Sequence, residues 1–215
     1  MNALIVSGGW PGHKPLEFAE VLGSLLQSAG FSVNQARSLD VLDEPLDAYT
    51  LIVPNWTMGK LTGTQSANLR AAVRGGVGLA GIHGGAGDAF REDTDYQFMV
   101  GGQFVAHPGN VRPYRVNVVA HELTAGLSDF DVVSEQYYMH VDPSNTVLAT
   151  TTFDGTDAPW VEGTVMPVAW TRRYGEGRVF YQSVGHTPSD LDGAAGELTR
   201  RGLLWAANVS QEVLS

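Results

Sequence analysis

Three histidines follow segments that are predicted to be buried strands. His13 comes a few residues after the first apolar run of the chain, and His83 and His186 directly follow two later runs. In an open parallel sheet, ligands bind just outside the carboxyl ends of the strands. If the last strand is parallel to the others, the three imidazoles converge at one edge, where they could act as general bases or metal ligands.

The sharpest local pattern is Gly81-Ile82-His83-Gly84-Gly85. Glycines that flank one side chain at the end of a strand are typical of a nucleophile elbow, whose turn is tight and crowded. Because the central residue is histidine, a base or a metal ligand fits better than an acyl-enzyme. An elbow side chain is expected to point into a cleft, so His83→Ala should change the unfolding free energy by less than about 1 kcal/mol.

Other motifs are missing from the sequence. It has no G-x-S-x-G, no G-x-x-x-x-G-K-[ST], and no G-x-G-x-x-G after the first strand. The absence of these three motifs disfavours a serine hydrolase, a P-loop protein and a dinucleotide-binding protein. No nucleotide cofactor is therefore expected.

Glu135 is the carboxylate of greatest interest because it lies among aromatic residues. If Glu135 is buried there, its pKa would be raised, which would suit it to acid–base catalysis. The alternative is that Glu135 is a solvated acidic residue in a loop. Asp88 is close enough along the chain to orient His83.

Two or three histidines with one carboxylate form the ligand set of many divalent metal sites, so His13, His83 and His186 are candidate ligands for Zn, Mn or a similar ion. Their spacing matches no compact metal motif.

The remaining histidines divide into two groups. His121 precedes Glu122-Leu123-Thr124 and is interpreted as a polar residue at a helix start. For His107 and His140, a structural role and a role in the site are left open.

Several aromatic residues are placed to bind a hydroxylated ligand. Trp10 and Trp56 lie in predicted strand-end loops, and Tyr137 and Tyr138 follow Glu135 closely. Flat rings with a polar tip suit a sugar, while core packing is the alternative. Core packing is the interpretation preferred for Trp170 and Trp205.

The composition excludes several classes of protein. The chain has 215 residues, 43% of them hydrophobic, with a formal net charge of −10 and no cysteine. This length predicts one domain over residues 1–215. The negative charge disfavours nucleic-acid and anionic-membrane partners, and the lack of cysteine excludes disulfides and thiol nucleophiles. The first apolar run is too short for a signal peptide, and no run is long enough to cross a bilayer, so a cytoplasmic location is expected.

The elements that position these residues alternate along the chain. Strand patterns occur at 3–7, 31–36, 49–53, 78–82, 114–119, 147–152, 165–173 and 178–184. Helical patterns run from Leu16 to a stop at Gly30, over 64–74 and 194–207, and over a short stretch at 96–100. The turn at 174–178 predicts that the last two strands form a hairpin. Alternation through the first 85 residues predicts an α/β fold with helices on both faces of a parallel sheet.

The ordered motifs of the chain resemble those of the trehalose-utilisation (ThuA-like) family. They are GW at 9–10, GH at 12–13, GLAGIHGG at 78–85, DAF at 88–90, Tyr96, VGGQF at 100–104, HP at 107–108, EQY at 135–137, PVAW at 167–170, YGEGRVFY at 174–181 and GH at 185–186. The resemblance covers nearly the whole chain. It implies the class I glutamine-amidotransferase-like superfamily and a flavodoxin-like three-layer α/β/α sandwich with a largely parallel sheet.

The chain departs from the amidotransferases at the residues that hydrolyse glutamine. Their elbow holds a cysteine and a later strand ends in His-x-Glu, whereas here the elbow holds His83 and His186 precedes Thr187-Pro188. Glutaminase activity is therefore not expected.

The resemblance implies a role in disaccharide catabolism beside a partner sugar dehydrogenase that makes 3-keto-glycosides. We expect acid–base or metal-assisted elimination and hydrolysis of such a keto-sugar, with a homo-oligomer as a further expectation. The alternatives are a carbohydrate-binding or assembly module without turnover and a sugar isomerase. The expected catalytic residues are His83, Glu135 and His186, and the expected substrate-binding residues are Trp10, Trp56, Tyr137 and His107.

Overall fold

The computed structural model describes residues 1–209, in which helices cover both faces of a nine-stranded sheet. The strands are β1 (Asn2–Gly9), β2 (Ser32–Ala36), β3 (Leu51–Thr57), β4 (Gly78–Ile82), β5 (Gly102–Ala106), β6 (Val111–Val118), β7 (Phe130–Glu135), β8 (Tyr138–Val141), β9 (Thr146–Thr152), β10 (Val165–Tyr174) and β11 (Gly177–Gln182). The helices are α1 (Pro15–Ser28), α2 (Gly63–Arg74), α3 (His83–Gly87), α4 (Thr94–Val100) and α5 (Ala194–Ala206).

The sheet has a parallel part that follows the flavodoxin-like order. Its strands run β2-β1-β3-β4-β11, and all four pairings are parallel. The order then continues β10-β9-β6-β7 through antiparallel pairs. Strands β5 and β8 form a separate two-stranded sheet. The predicted α/β sandwich is confirmed, as is the parallel orientation of the last strand.

Alternating side chains of the buried strands supply the two layers of the core. In β1, Ala3 and Ile5 pack in one apolar cluster with α1 and α5, while Leu4 and Val6 pack in a second cluster with α2 and α4. All four side chains are buried. A strand covered on both faces reads as a continuous apolar run, which is why this segment could be recognised from the sequence.

The antiparallel strands fold back over the end of the parallel part. Glu135 ends β7, which lies five places from β4 in the sheet order. At a spacing of about 4.8 Å per strand, a flat sheet would separate them by about 24 Å. Yet the Glu135 carboxylate lies 3.1 Å from the ring of His83, the residue after β4. This curl brings a carboxylate from the far strand to the carboxyl edge of the parallel strands.

The structure extends several predicted elements and adds others. The predicted hairpin of 165–173 with 178–184 is confirmed as β10 and β11. The strand predicted at 49–53 continues through Pro54 to Thr57, so Asn55 and Trp56 belong to β3 and not to a loop. Strands β5, β7 and β8 were not predicted, because their half-buried sequences lack a continuous apolar run or a strict alternation.

The described residues contain no helix that is both long and apolar enough to cross a membrane. Residues 210–215 of the predicted domain lie outside the described residues.

The contact between α5 and the sheet leads to a stability prediction. A Cβ at Gly202 would overlap the ring of Phe180 in β11, whereas a Cβ at Gly63, at the start of α2, would meet no atom within 4 Å. We expect Gly202→Ala to lower the free energy of unfolding by about 1–3 kcal/mol, because the added methyl overpacks the core. Gly63→Ala is the matched control and should be neutral or slightly stabilising. Urea unfolding of both variants tests this, and equal midpoints would contradict the packing described.

Candidate active site

His83 occupies a strained turn between a strand and a helix. It directly follows β4 and begins the short helix α3, and its φ of 46° is in the left-handed region. Non-glycine residues in this region are uncommon and cluster at functional sites. The strand–turn–helix geometry that the glycine pattern predicts is therefore present. The next residue, Gly84, allows a close approach, since a Cβ there would overlap the ring of His13.

The His83 ring is held by three buried partners. Its Nδ1 lies 2.7 Å from the carbonyl oxygen of Ser183, and its Nε2 lies 2.9 Å from the Tyr137 hydroxyl and 3.1 Å from Glu135 Oε2. The side chain is 1% exposed. The expectation of a side chain that points into an open cleft is wrong, because the ring is enclosed. His83→Ala would leave buried polar partners unsatisfied, at a cost of about 1–3 kcal/mol.

Glu135 is the point on which the histidines converge. Its Oε2 lies 3.1 Å from His83 Nε2, 3.4 Å from His186 Nδ1 and 3.6 Å from His13 Nε2. The ring centroids of His13 and His83 are 4.7 Å apart, and that of His186 is 5.5 Å from the first and 5.8 Å from the second. The predicted convergence of these three histidines at the carboxyl edge of the sheet is confirmed.

The electrostatics of Glu135 differ from the expectation. Burial is the largest single effect and raises the pKa of its carboxyl, but contacts with His13 and His83 and positive charge on His83 and His107 together outweigh it. The net result is a pKa well below the usual range, so the expectation of a raised pKa is wrong. Burial also lowers the pKa of the His83 imidazole, although its contact with Glu135 opposes this. A negative carboxylate thus faces the His83 imidazole, whose positive form is disfavoured by burial.

His13 reaches the cluster from the turn that follows β1. Its Nδ1 is hydrogen-bonded to the Thr57 hydroxyl at 2.8 Å, and Thr57 ends the neighbouring strand β3. This bond turns Nε2 toward Glu135. Both side chains are buried.

His186 is positioned by the carboxylate of Asp190. Asp190 Oδ2 accepts hydrogen bonds from the His186 backbone N–H at 2.9 Å and from the Ser134 hydroxyl at 2.5 Å. Because Ser134 precedes Glu135 in β7, this carboxylate ties the loop after β11 to the strand that carries Glu135. The side chain of His186 is 21% exposed, more than those of the other residues of the cluster.

Aromatic and polar groups border the four-residue cluster. Tyr137 is buried and stacks on His83, with ring centroids 4.1 Å apart. Trp10 is 44% exposed and meets the His13 ring edge-on at 4.7 Å. The His107 side chain is 32% exposed, and its Nε2 lies 3.8 Å from Glu135 Oε1. The exposed groups at the border are therefore Trp10, His107 and His186, while His83 and Glu135 lie deeper.

Other residues singled out in the sequence have different surroundings. Trp56 packs over Gly8 and Gly59 and joins the apolar cluster of α2 and α4. Asp88 forms a bidentate pair with Arg91, and the Ser183 carbonyl takes the orienting position on His83 that was expected for Asp88. Tyr138 packs against Phe153, and His140 is exposed in β8.

Two interpretations of structural roles are confirmed. His121 accepts a hydrogen bond from the Leu123 N–H at 3.1 Å as a helix cap. Trp170 is fully buried, and Trp205 packs against the core cluster.

Thr57, Ser183 and Asp190 were missed in the sequence. Asp190 had a signal, because Thr187-Pro188-Ser189-Asp190 has the spacing of a capping box, and the structure forms one. Thr57 and the carbonyl of Ser183 had none, since a single hydroxyl or a backbone oxygen has no pattern of its own.

The chain is similar to known proteins in its sequence and in its fold. Residues 2–206 match the family model ThuA, described as trehalose utilisation. A search of curated proteins by sequence gave no match. Among solved structures, a ThuA-like protein from Parabacteroides merdae has a TM-score of 0.78 at 19% identity, covering 96% of this chain and 90% of its own.

Two further structures are more distant. A cytoplasmic protein from Salmonella typhimurium LT2 has a TM-score of 0.66 at 13% identity, covering 97% of this chain and 98% of its own. A β-galactosidase from Rahnella sp. R3 has a TM-score of 0.56 at 17% identity, covering 84% of this chain but 28% of its own. At these identities the likeness shows the fold alone.

Proposed function

The chain belongs to the ThuA, trehalose-utilisation family, and from this membership and the cluster around Glu135 we propose an enzyme of carbohydrate catabolism that acts on a keto-sugar or 3-keto-glycoside. The observation that supports the proposal most is the convergence of three imidazole nitrogens on one carboxylate oxygen, within 3.6 Å in each case. The superfamily implied by the sequence, that of the class I glutamine amidotransferases, is part of the proposal, but glutamine hydrolysis is not.

The chemistry of a 3-keto-glycoside suits an acid–base centre. The ketone at C3 acidifies the proton at C2, so a base can remove it and leave an enolate. The electron pair of the enolate then forms the C1–C2 double bond, and the C1–O bond breaks, with the leaving oxygen taking up a proton. Addition of water across the double bond completes a net hydrolysis. Positioned bases contribute about 10²–10⁴-fold to such steps.

The position and the protonation state of each side chain determine which of these steps we assign to it. The Ser183 carbonyl can only accept a hydrogen bond, so Nδ1 of His83 donates and Nε2 of the neutral ring is left without a proton. Nε2 therefore faces Glu135 as an available base, and we assign the base to His83. Glu135 is the alternative, although its low pKa makes its carboxylate the weaker base. We assign His13 and His186, whose rings border the same carboxylate, to stabilise the oxygen of the enolate.

Trp10 is assigned to hold the sugar at the rim of the site. Trp10→Ala should raise KM about 10-fold with little change in kcat, because the exposed ring stacks on the sugar and takes no part in proton transfer. Phe98→Ala is the control, since Phe98 is also exposed but packs beside Tyr174, at the opposite edge of the sheet. Steady-state kinetics on a 3-keto-glycoside separate the two parameters. An unchanged KM for Trp10→Ala would exclude this assignment.

The wider setting is part of the same proposal. A sugar dehydrogenase would supply the 3-keto substrate, the protein would act in the cytoplasm, and a homo-oligomer stays a prediction.

The direct test incubates the purified protein with 3-keto-glycosides and measures release of the glycone. Release that depends on His83 supports the proposal. Binding without release would favour a carbohydrate-binding module, and conversion to an isomeric sugar would favour an isomerase.

A further inference from the structure

We propose that His13, His83, Glu135 and His186 bind one divalent transition-metal ion, with the ring nitrogens and a carboxylate oxygen as ligands. One ligand atom from each residue lies within 4.8 Å of all the others. The inference deepens the proposed function, since it concerns the same site, but it does not depend on which sugar is the substrate.

The distances from Glu135 Oε2 to the three ring nitrogens are close to those between the ligands of one ion. A tetrahedral zinc ion, with bonds of about 2.0–2.1 Å, separates neighbouring ligand atoms by roughly 3.3 Å. The three nitrogens lie 3.1, 3.4 and 3.6 Å from Glu135 Oε2. The cluster is also enclosed, because the His83 and Glu135 side chains are 1% and 7% exposed.

The hydrogen bonds of His83 leave a lone pair aimed at a negative oxygen. Nδ1 donates to the Ser183 carbonyl, so the neutral ring presents an unprotonated Nε2 to Glu135 Oε2 at 3.1 Å. The Tyr137 hydroxyl donates a hydrogen bond to the same nitrogen at 2.9 Å, but Nε2 and Oε2 still repel each other unless a proton or a cation lies between them. A divalent ion bound to both atoms would remove this repulsion.

His186 supplies an independent observation. Its Nδ1 is buried and has no hydrogen-bond partner within residues 1–209, although it lies 3.4 Å from Glu135 Oε2. Buried polar atoms are nearly always paired, so an unpaired one needs an explanation. A metal ion would pair it.

The outer contacts of the histidines are those of metal ligands. Such histidines usually hydrogen-bond through their other ring nitrogen to a carbonyl or another polar group, which fixes the ring. His83 does so through Ser183 and His13 through Thr57. A set of three imidazoles and one carboxylate suits zinc, and manganese, cobalt or iron are also compatible.

The test measures the metal and not the reaction. The purified protein is stripped with a chelator and titrated with Zn²⁺, Mn²⁺ and Co²⁺, with metal content measured by mass spectrometry after gel filtration. We expect about one ion per chain, a higher melting temperature with the ion, and the intense visible absorption of low-coordinate Co²⁺. Thr57→Val, which removes the bond to His13 Nδ1 but keeps the shape, should weaken binding about 10- to 100-fold.

Two variants make the site assignment falsifiable. His13→Ala should weaken binding at least as much as Thr57→Val, whereas His140→Ala, in exposed β8, should bind as the wild type does. Failure of the wild type to take up any of the three ions would overturn the proposal, as would equal binding by His13→Ala and His140→Ala. Metal binding without sugar turnover would instead overturn the proposed substrate and leave the metal site standing.

Discussion

Glu135→Gln should lower turnover of a 3-keto-glycoside by about 10²–10⁴-fold. The amide keeps the shape of the side chain but removes the charge that three imidazole nitrogens face within 3.6 Å. Whether the carboxylate acts as the base or holds an ion, it must be negative, and its low pKa keeps it so throughout the neutral range. The measurement is kcat/KM, together with a circular-dichroism spectrum that should match the wild type.

The same substitution at Glu176 is the control for this prediction. Glu176 is exposed in the turn between β10 and β11, at the opposite edge of the sheet. Glu176→Gln should keep turnover within about twofold of the wild type, the range of a surface change away from the site. If Glu135→Gln were as active as Glu176→Gln, Glu135 would have no role in the reaction.

His83→Ala should lower turnover by about 10³-fold, within the range for loss of a positioned base, and should also destabilise the fold. The variant loses the unprotonated Nε2 and leaves the Ser183 carbonyl without its buried donor, which costs about 1–3 kcal/mol. Turnover is measured at a temperature where the variant is folded, and the melting temperature is measured on the same sample.

His83→Cys should not create a glutaminase, because no His-x-Glu partner is present to activate the thiolate.

His140→Ala is the control for the loss of an imidazole, since this side chain is exposed in β8. It should leave turnover and stability close to the wild type. A folded His83→Ala protein with the turnover of His140→Ala would exclude the elbow as the catalytic centre and favour the binding-module alternative.

The two proposals assign the proton transfer differently. A metal ion would use the lone pairs of His83 and Glu135, so the base would then have to lie outside the four ligands. His107 is well placed for this, because its side chain is 32% exposed and its Nε2 lies 3.8 Å from Glu135 Oε1. Turnover of His107→Ala, measured with and without the ion, therefore distinguishes the two assignments.

The convergence of the histidines could be predicted from the sequence because strand ends fix it. His13, His83 and His186 each follow a strand of the parallel part, and such strands share a carboxyl edge. The fold could also be predicted from the sequence, because buried parallel strands have continuous apolar sequences.

The position of Glu135 could not be predicted in the same way. It lies on the outermost antiparallel strand, and only the curl of that part of the sheet brings it to His83. The aromatic neighbours of Glu135 in the sequence indicate burial and hence a raised pKa, but they do not show the imidazoles that lower it. The sequence Pro54-Asn55-Trp56 predicts a turn, although the strand continues through it.

The most direct test of the central claim is glycone release from a 3-keto-α-glucoside by the wild type and by Glu135→Gln, followed by NMR. The account predicts release by the wild type, with solvent deuterium entering at C2 in D₂O, and loss of both release and exchange in the variant. Exchange at C2 is diagnostic because it reports removal of that proton separately from cleavage of the C1–O bond. A wild-type protein that catalyses neither would contradict the account, and so would a variant that catalyses both at the wild-type rate.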